Sequence, residues 1–133
     1  MSVEWVRRFC LSLPGATENV QWGNDLVFKI GGKMFAVVAL EPAGMWMSFK
    51  CTPEEFAELT ERPAIIPAPY LARAQWVALE HENALPAGEI KRLVRQSYEI
   101  VRDKLPKRAR EELSQTKIRA RRGVSRDISP RSR

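Results

Sequence analysis

Trp5, Val6, Phe9, Cys10 and Leu13 recur at the spacing of one helix face, with Ser2 available as a cap and Pro14-Gly15 as a stop, so the chain is predicted to open on an amphipathic helix. Ala16 to Asn19 carries no periodic run and reads as a polar connection. Leu26 to Ile30 then reads as a strand, Gly31-Gly32 as a two-residue hairpin turn, and Lys33 to about Leu40 as the return strand. Glu41-Pro42-Ala43-Gly44 marks another turn. Met45 to Cys51 follows as a third strand, with Met47, Phe49 and Cys51 on one face and Trp46, Ser48 and Lys50 on the other.

Thr52-Pro53-Glu54-Glu55 is a helix start: Thr caps, Pro suits the first helical position, and Glu55 stands where a capping-box carboxylate reaches back. That helix is expected to end near Arg62-Pro63. Pro63, Pro67 and Pro69 argue against regular structure from Ala64 to Tyr70, and Trp76 to Leu79 is apolar enough for a short strand. Pro86 opens a long helix whose face is Ile90, Leu93, Val94, Ser97, Val101 and Leu105, and Pro106 ends or kinks it. Past Lys107 the apolar residues thin out, predicting a frayed turn or two of helix and a disordered tail from about Thr116. The order of elements gives an α+β fold class, an antiparallel β-sheet with helices packed on one face and the other face at least partly free.

At 133 residues, 44% apolar, the chain supplies one core and has no room for a second. The longest apolar run, Met34 to Leu40, is far short of the ~20 residues of a membrane span, so no membrane partner is expected. The formal charge of +6 invites a polyanion-binding reading, but its position matters more than its total. Lys104 to Arg133 holds eleven basic residues against three acidic ones, while positions 1 to 103 hold eleven against thirteen. The body is therefore about −2 and the tail +8. Arg119, Arg121 and Arg122 make that tail a candidate DNA-binding arm, the plain alternative being a solubilising extension.

The chemistry-bearing residues are few. Cys10, Cys51 and the single histidine, His81, have no metal-ligand or redox spacing, so neither a metal site nor a cofactor is expected. His81 lies between Glu80 and Glu82 with no partnered nucleophile, and Cys51 shares the apolar strand face with Met47 and Phe49, so the chain reads as no enzyme. Two cysteines and no leader-like apolar run point to the cytoplasm.

Leu13-Pro14-Gly15-Ala16-Thr17-Glu18, Trp22-Gly23-Asn24-Asp25 and Val27 to Ala36 resemble the start of the MmcQ/YjbR family. Ser48-Phe49-Lys50-Cys51, Ala68-Pro69-Tyr70-Leu71, Trp76-Val77-Ala78-Leu79 and Ser97-Tyr98 through Lys107 match its later parts. The likeness covers residues 1–110 as one domain and leaves 111–133 as the basic tail. It implies a CyaY-like fold, shared with frataxins, and DNA binding through a so-called double-wing motif. The contact positions it implies are Lys29, Lys33, Lys50 and Arg73, with Trp22 and Trp76 as aromatic neighbours. No iron function comes with it, because the first helix sets Glu4 alone against Arg7 and Arg8. Lys29 and Lys33 flank the Gly31-Gly32 turn, where a wing meets phosphates; the alternative is a pair of ordinary solvated lysines. Lys50 with Trp46 would form a cationic aromatic platform if their strand face is open, the alternative being a Trp46 packed under the long helix, whereas Trp5 and Trp22 read as core. Met34, Met45 and Met47 read as gap-filling core, and Asn24-Asp25 as a turn. The expected function is a small DNA-binding protein, largely phosphate-directed; the alternative is a non-catalytic adaptor for a protein partner or small ligand on a frataxin-like sheet.

Overall fold

The hairpin turn at Gly31-Gly32 organises the sheet. Both glycines have positive φ, +58° and +81°, as a tight turn between twisted strands demands. The structure, a computed structural model, describes residues 3–41 and 44–112. In it, β2 (Asp25–Ile30) and β3 (Lys33–Ala39) flank this turn within a six-stranded, wholly antiparallel sheet. The remaining strands are β1 (Thr17–Gln21), β4 (Met47–Lys50), β5 (Ile65–Pro67) and β6 (Trp76–Leu79), in spatial order β1-β2-β3-β4-β6-β5. The helices are α1 (Val3–Leu11), α2 (Pro53–Leu59) and α3 (Ala87–Asp103), with a 3-10 turn at Ala72–Ala74 and a further helical stretch over 107–112.

All three helices pack on one face. Val6 and Cys10 of α1, Leu59 of α2 and Ile90, Leu93, Val94 and Val101 of α3 join Phe28, Ile30, Val38, Met47, Phe49, Val77 and Leu79 from the strands in one core. The apolar stripe of α3 lands on that face, which is what its helical spacing predicts. The Thr52 cap and Pro53 start match their reading, since Thr52 Oγ1 accepts the Glu55 N–H at 3.1 Å, but the Glu55 carboxylate does not close a capping box and instead accepts from Arg92 at 3.2 Å. The opposite face is partly covered by the connection between β5 and β6, which lays Ala68 and Leu71 against Val27, Val37, Trp76 and Ala78.

Two strands appear where the sequence reading placed none. Thr17–Gln21, read in part as a polar connection, is the edge strand β1; half-solvated edge positions need no apolar alternation, and Arg7 clamps Glu18 from α1 at 2.8 Å. Ile65–Pro67, read as irregular on account of its prolines, is the opposite edge, β5, where a proline costs no ladder bond on the solvent side. Ser2, proposed as the first cap, lies outside the described residues, as does the tail expected to be disordered from about Thr116.

β3 bulges at Phe35. Phe28 pairs with Ala36 but Lys29 pairs with Met34, leaving Phe35 as the extra residue. The bulge puts both Phe35 and Ala36 into the helix-side core while Met34 joins Lys29 on the other face. It also coincides with a split in the sheet. The β3–β4 ladder stops at Ala36–Phe49, whereas β4 continues along β6 to Lys50–Trp76. Ser97 of α3, fully buried, bridges the gap: its hydroxyl donates to the Phe35 carbonyl at 2.6 Å and accepts the Lys50 N–H at 3.0 Å. The next residue, Tyr98, ties α3 to the segment that follows α1, its hydroxyl donating to the Pro14 carbonyl at 2.5 Å.

Both cysteines are buried. Burial pushes the Cys51 thiol up to about 11, outweighing the adjacent Lys50, and the Cys10 thiol up to about 12. Neither is therefore a thiolate near neutral pH, and an aromatic disulfide reagent at pH 8 should label both only at the rate of unfolding, with rapid labelling of native protein the contrary result. Ser97→Ala strips two buried backbone groups of their partner. At 1–3 kcal/mol each, stability should fall by about 2–6 kcal/mol and Tm by roughly 8–24 °C in a thermal melt, and a shift under about 3 °C would contradict the bridging role.

Candidate functional site

The split between β3 and β4 opens into a cleft of about 470 Å³ beside the Gly31-Gly32 tip. Two elements shape it. From below, α3 ends against the hairpin: a Cβ on Gly31 would come within 2.6 Å of the Leu105 side chain, so the glycine allows both the left-handed turn and this close approach. From the sheet, Met34 and Trp76 face the gap, and Val101, Leu105 and Pro106 complete an apolar lining. Three lysines and one amide supply the polar lining: Lys29 and Lys33 from the two sides of the hairpin, Lys104 from the end of α3, and Gln21 from β1.

The charge pattern around the cleft is one-sided. The ion pairs among the described residues join Arg7 to Glu4 and Glu18, Arg62 to Glu89, Arg92 to Glu55, and Arg102 to Asp103. None of them uses Lys29, Lys33 or Lys104. These ion pairs thus lie away from the cleft, which keeps three cations and no lining carboxylate. Lys107, Arg108 and Arg110 follow closely on Pro106, with Lys107 and Arg108 exposed, so the first basic residues of the tail stand next to the cleft.

Of the residues singled out in the sequence, Lys29, Lys33 and Trp76 meet in this cleft. Trp76 is a wall, only 4% exposed, and pairs in register with Lys50. Lys50 itself is spoken for: its ammonium donates to the Ala74 carbonyl and its N–H to Ser97, and burial, then the nearby Lys104 charge, lower its pKa below that of an ordinary lysine. Arg73 is exposed on the 3-10 turn and does not line the cleft. Arg119, Arg121 and Arg122 lie outside the described residues.

Three aromatic and sulfur assignments change. Trp46 is buried in the helix-side core, which removes the Lys50–Trp46 surface platform; the strand begins at Met47, so alternation does not carry back to Trp46. Trp22, read as core, is 67% exposed at a left-handed position, φ +53°, in the β1–β2 turn, because the unread strand β1 moves it from a sheet edge to a hairpin tip. Met45 is exposed, whereas Met47 is buried. Trp5 packs against the core, stacked on Phe9 with Lys91 5.4 Å from its ring centre. Asn24 serves the turn, donating to Glu41 at 2.8 Å. His81 Nδ1 accepts the Asn83 N–H at 3.2 Å. Lys104 was missed as a site residue because charge arithmetic alone assigns it to the tail; its spacing of three from Val101 on the core-facing stripe of α3 was the available signal.

Among the described residues no group of three or more His, Cys, Asp or Glu is placed to hold a metal, and no helix is long and apolar enough to cross a membrane. Comparison with known proteins agrees with the resemblance. A family model described as YjbR matches residues 11–100. The uncharacterized protein YjbR of Escherichia coli, in strains K12 and O157:H7, is 29% identical over 119 residues, 86% of this chain and 99% of that protein. The crystal structure of a Deinococcus radiodurans protein with the DUF419 domain superposes with a TM-score of 0.76 at 30% identity, over 85% of this chain and 88% of that one. A Pseudomonas syringae crystal structure shares the fold at a TM-score of 0.61 and 20% identity, over 76% and 99% of the two chains. With the family model spanning most of the sheet and α3, the chain belongs to the YjbR family.

Proposed function

We propose that this chain is a small, non-catalytic DNA-binding protein whose contacts go mostly to phosphate and whose sequence specificity is low. The observation that carries the reading is the convergence of Lys29, Lys33 and Lys104 on one cleft, outside the ion pairs named above among the described residues and next to the first basic residues of the tail. Three cations lining one cleft with no carboxylate among them favour a polyanion, which releases its own counterions on binding. The Gly31-Gly32 tip is the wing in this arrangement, and the tail, with Arg119, Arg121 and Arg122, is the arm that follows the backbone further. Lys50 and Arg73 are peripheral, the first fixed by Ala74 and the second outside the cleft. The buried thiols and the solvated His81 leave no activated nucleophile to favour an enzyme.

A second reading, an adaptor for a protein partner, is favoured by one observation: Val20 and Trp22 are both well exposed along the free edge formed by β1 and its turn. The two separate on salt. In a fluorescence-anisotropy titration with a 20-bp duplex, log K should fall linearly with log[salt], with a slope of about −0.9 per phosphate neutralised. Changing Lys29 and Lys33 together to Gln should flatten that slope by about 2, and changing Arg119, Arg121 and Arg122 to Gln by roughly 2–3. No measurable affinity at 25 mM salt sinks the DNA reading, and Trp22→Ala abolishing capture of a defined protein partner would favour the adaptor.

A further inference from the structure

We infer that the cleft between the Gly31-Gly32 hairpin and the end of α3 holds a single unpaired nucleotide, its phosphate among Lys29, Lys33 and Lys104 and its base against the apolar floor; the inference rests on the nucleic-acid reading and narrows its ligand. Charge alone does not require a concave site. A duplex offers a convex surface, and a protein that reads only its phosphates needs no more than a basic patch or a protruding tip. Here the cations stand over a cleft of about 470 Å³, within the range of pockets that enclose small ligands. Its floor is apolar. Met34 is half-buried and Pro106 exposed, with the buried Trp76 and Leu105 behind them, and a duplex lying across the lysines would leave this surface facing water. A ligand that satisfies both parts carries an anionic group and a flat apolar body a few ångströms apart, which describes one nucleotide out of its stack.

Gln21 adds the remaining element. It is the one side-chain amide in the lining, half-buried on the polar edge strand, and it offers a donor and an acceptor of the kind that meets a base edge. The wall is also rigid where a pocket needs it. Leu105 is pinned against Gly31, and Trp76 is held in the ladder opposite Lys50, whose own ammonium is tied to the Ala74 carbonyl. The site is therefore formed before any ligand arrives, and binding requires only that the nucleic acid present an unpaired nucleotide, at a single-stranded stretch or an end.

The full chain tests this. Amide and indole NMR signals are followed during titration with thymidine monophosphate, thymidine and inorganic phosphate separately, and anisotropy compares a 15-nucleotide single strand with a blunt 15-bp duplex at 50 mM salt. The expected result is that thymidine monophosphate shifts the Trp76 indole and the Met34 and Gln21 amides, and that inorganic phosphate and thymidine each bind at least about tenfold more weakly. The single strand should outbind the duplex by about tenfold or more, the gain from one enclosed base. Met34→Gln, which adds no charge beside the lysines, should lower single-strand affinity by about tenfold more than it lowers duplex affinity, and Lys104→Glu, at an exposed position, repeats the test on nucleotide affinity should the first variant not fold. Duplex bound as tightly as single strand, with no cleft signal moved by the nucleotide, overturns the inference and leaves the DNA reading standing. A nucleotide that binds the cleft while neither oligonucleotide binds does the reverse: the site stands and the nucleic-acid reading fails.

Discussion

The buried Ser97 hydroxyl is the interaction on which the arrangement of this molecule rests. Two strands that part company inside a core leave a carbonyl and an N–H with no partner, and an unsatisfied pair of that kind costs about as much as a small domain can spare. Ser97 satisfies both at once, accepting from Lys50 and donating to Phe35. The sheet is therefore free to split without loss, and α3 is locked in register over the split by the same two bonds. Everything distinctive about the cleft follows. With α3 held there, Val101, Lys104 and Leu105 fall at the open end of the gap, and Leu105 meets the hairpin at Gly31.

The bulge at Phe35 is the other half of that device. A regular β3 would alternate Met34 and Ala36 on one face and send Phe35 to the other. The extra residue lets Phe35 and Ala36 share the helix-side core, where Phe35 packs edge-on against Tyr98 with ring centres 5.4 Å apart, and frees Met34 to stand beside Lys29. One inserted residue thus fills the core, positions the carbonyl that Ser97 reads, and supplies an apolar floor next to a cation. Substitutions at Phe35 or Ser97 act on the cleft through the backbone, with no need to touch a ligand.

Much of the architecture was legible in the chain because its signals are local. Gly31-Gly32 between two apolar runs, Thr52-Pro53 before Glu55, and the long stripe from Ile90 to Val101 each specify an element through its own turn, cap or periodicity. The two edge strands were illegible for a shared reason. Thr17–Gln21 and Ile65–Pro67 are defined by a neighbour's hydrogen bonds and not by their own pattern: the first is polar because water and Arg7 take its exposed side, the second tolerates a proline because no strand lies beyond it. Missing β1 misplaced Trp22, and assuming strict alternation back from Lys50 misplaced Trp46. Of the site, the two hairpin lysines were visible, whereas the split, the bulge and the return of α3 were not, since each depends on contacts more than forty residues apart in sequence.

Charge shows most clearly what folding adds to a sequence. Counted along the chain, the basic excess begins after Asp103 and belongs to the tail, with the body slightly acidic. Counted in space, that boundary runs through the cleft, because Lys104 stands with Lys29 and Lys33 and no carboxylate is among the lining residues. A near-neutral body can therefore present a positive site, provided no carboxylate lines it. The net charge of the folded body is then a poor guide to its partner, and the position of Pro106, which turns the chain out of α3 at the cleft's edge, is a better one.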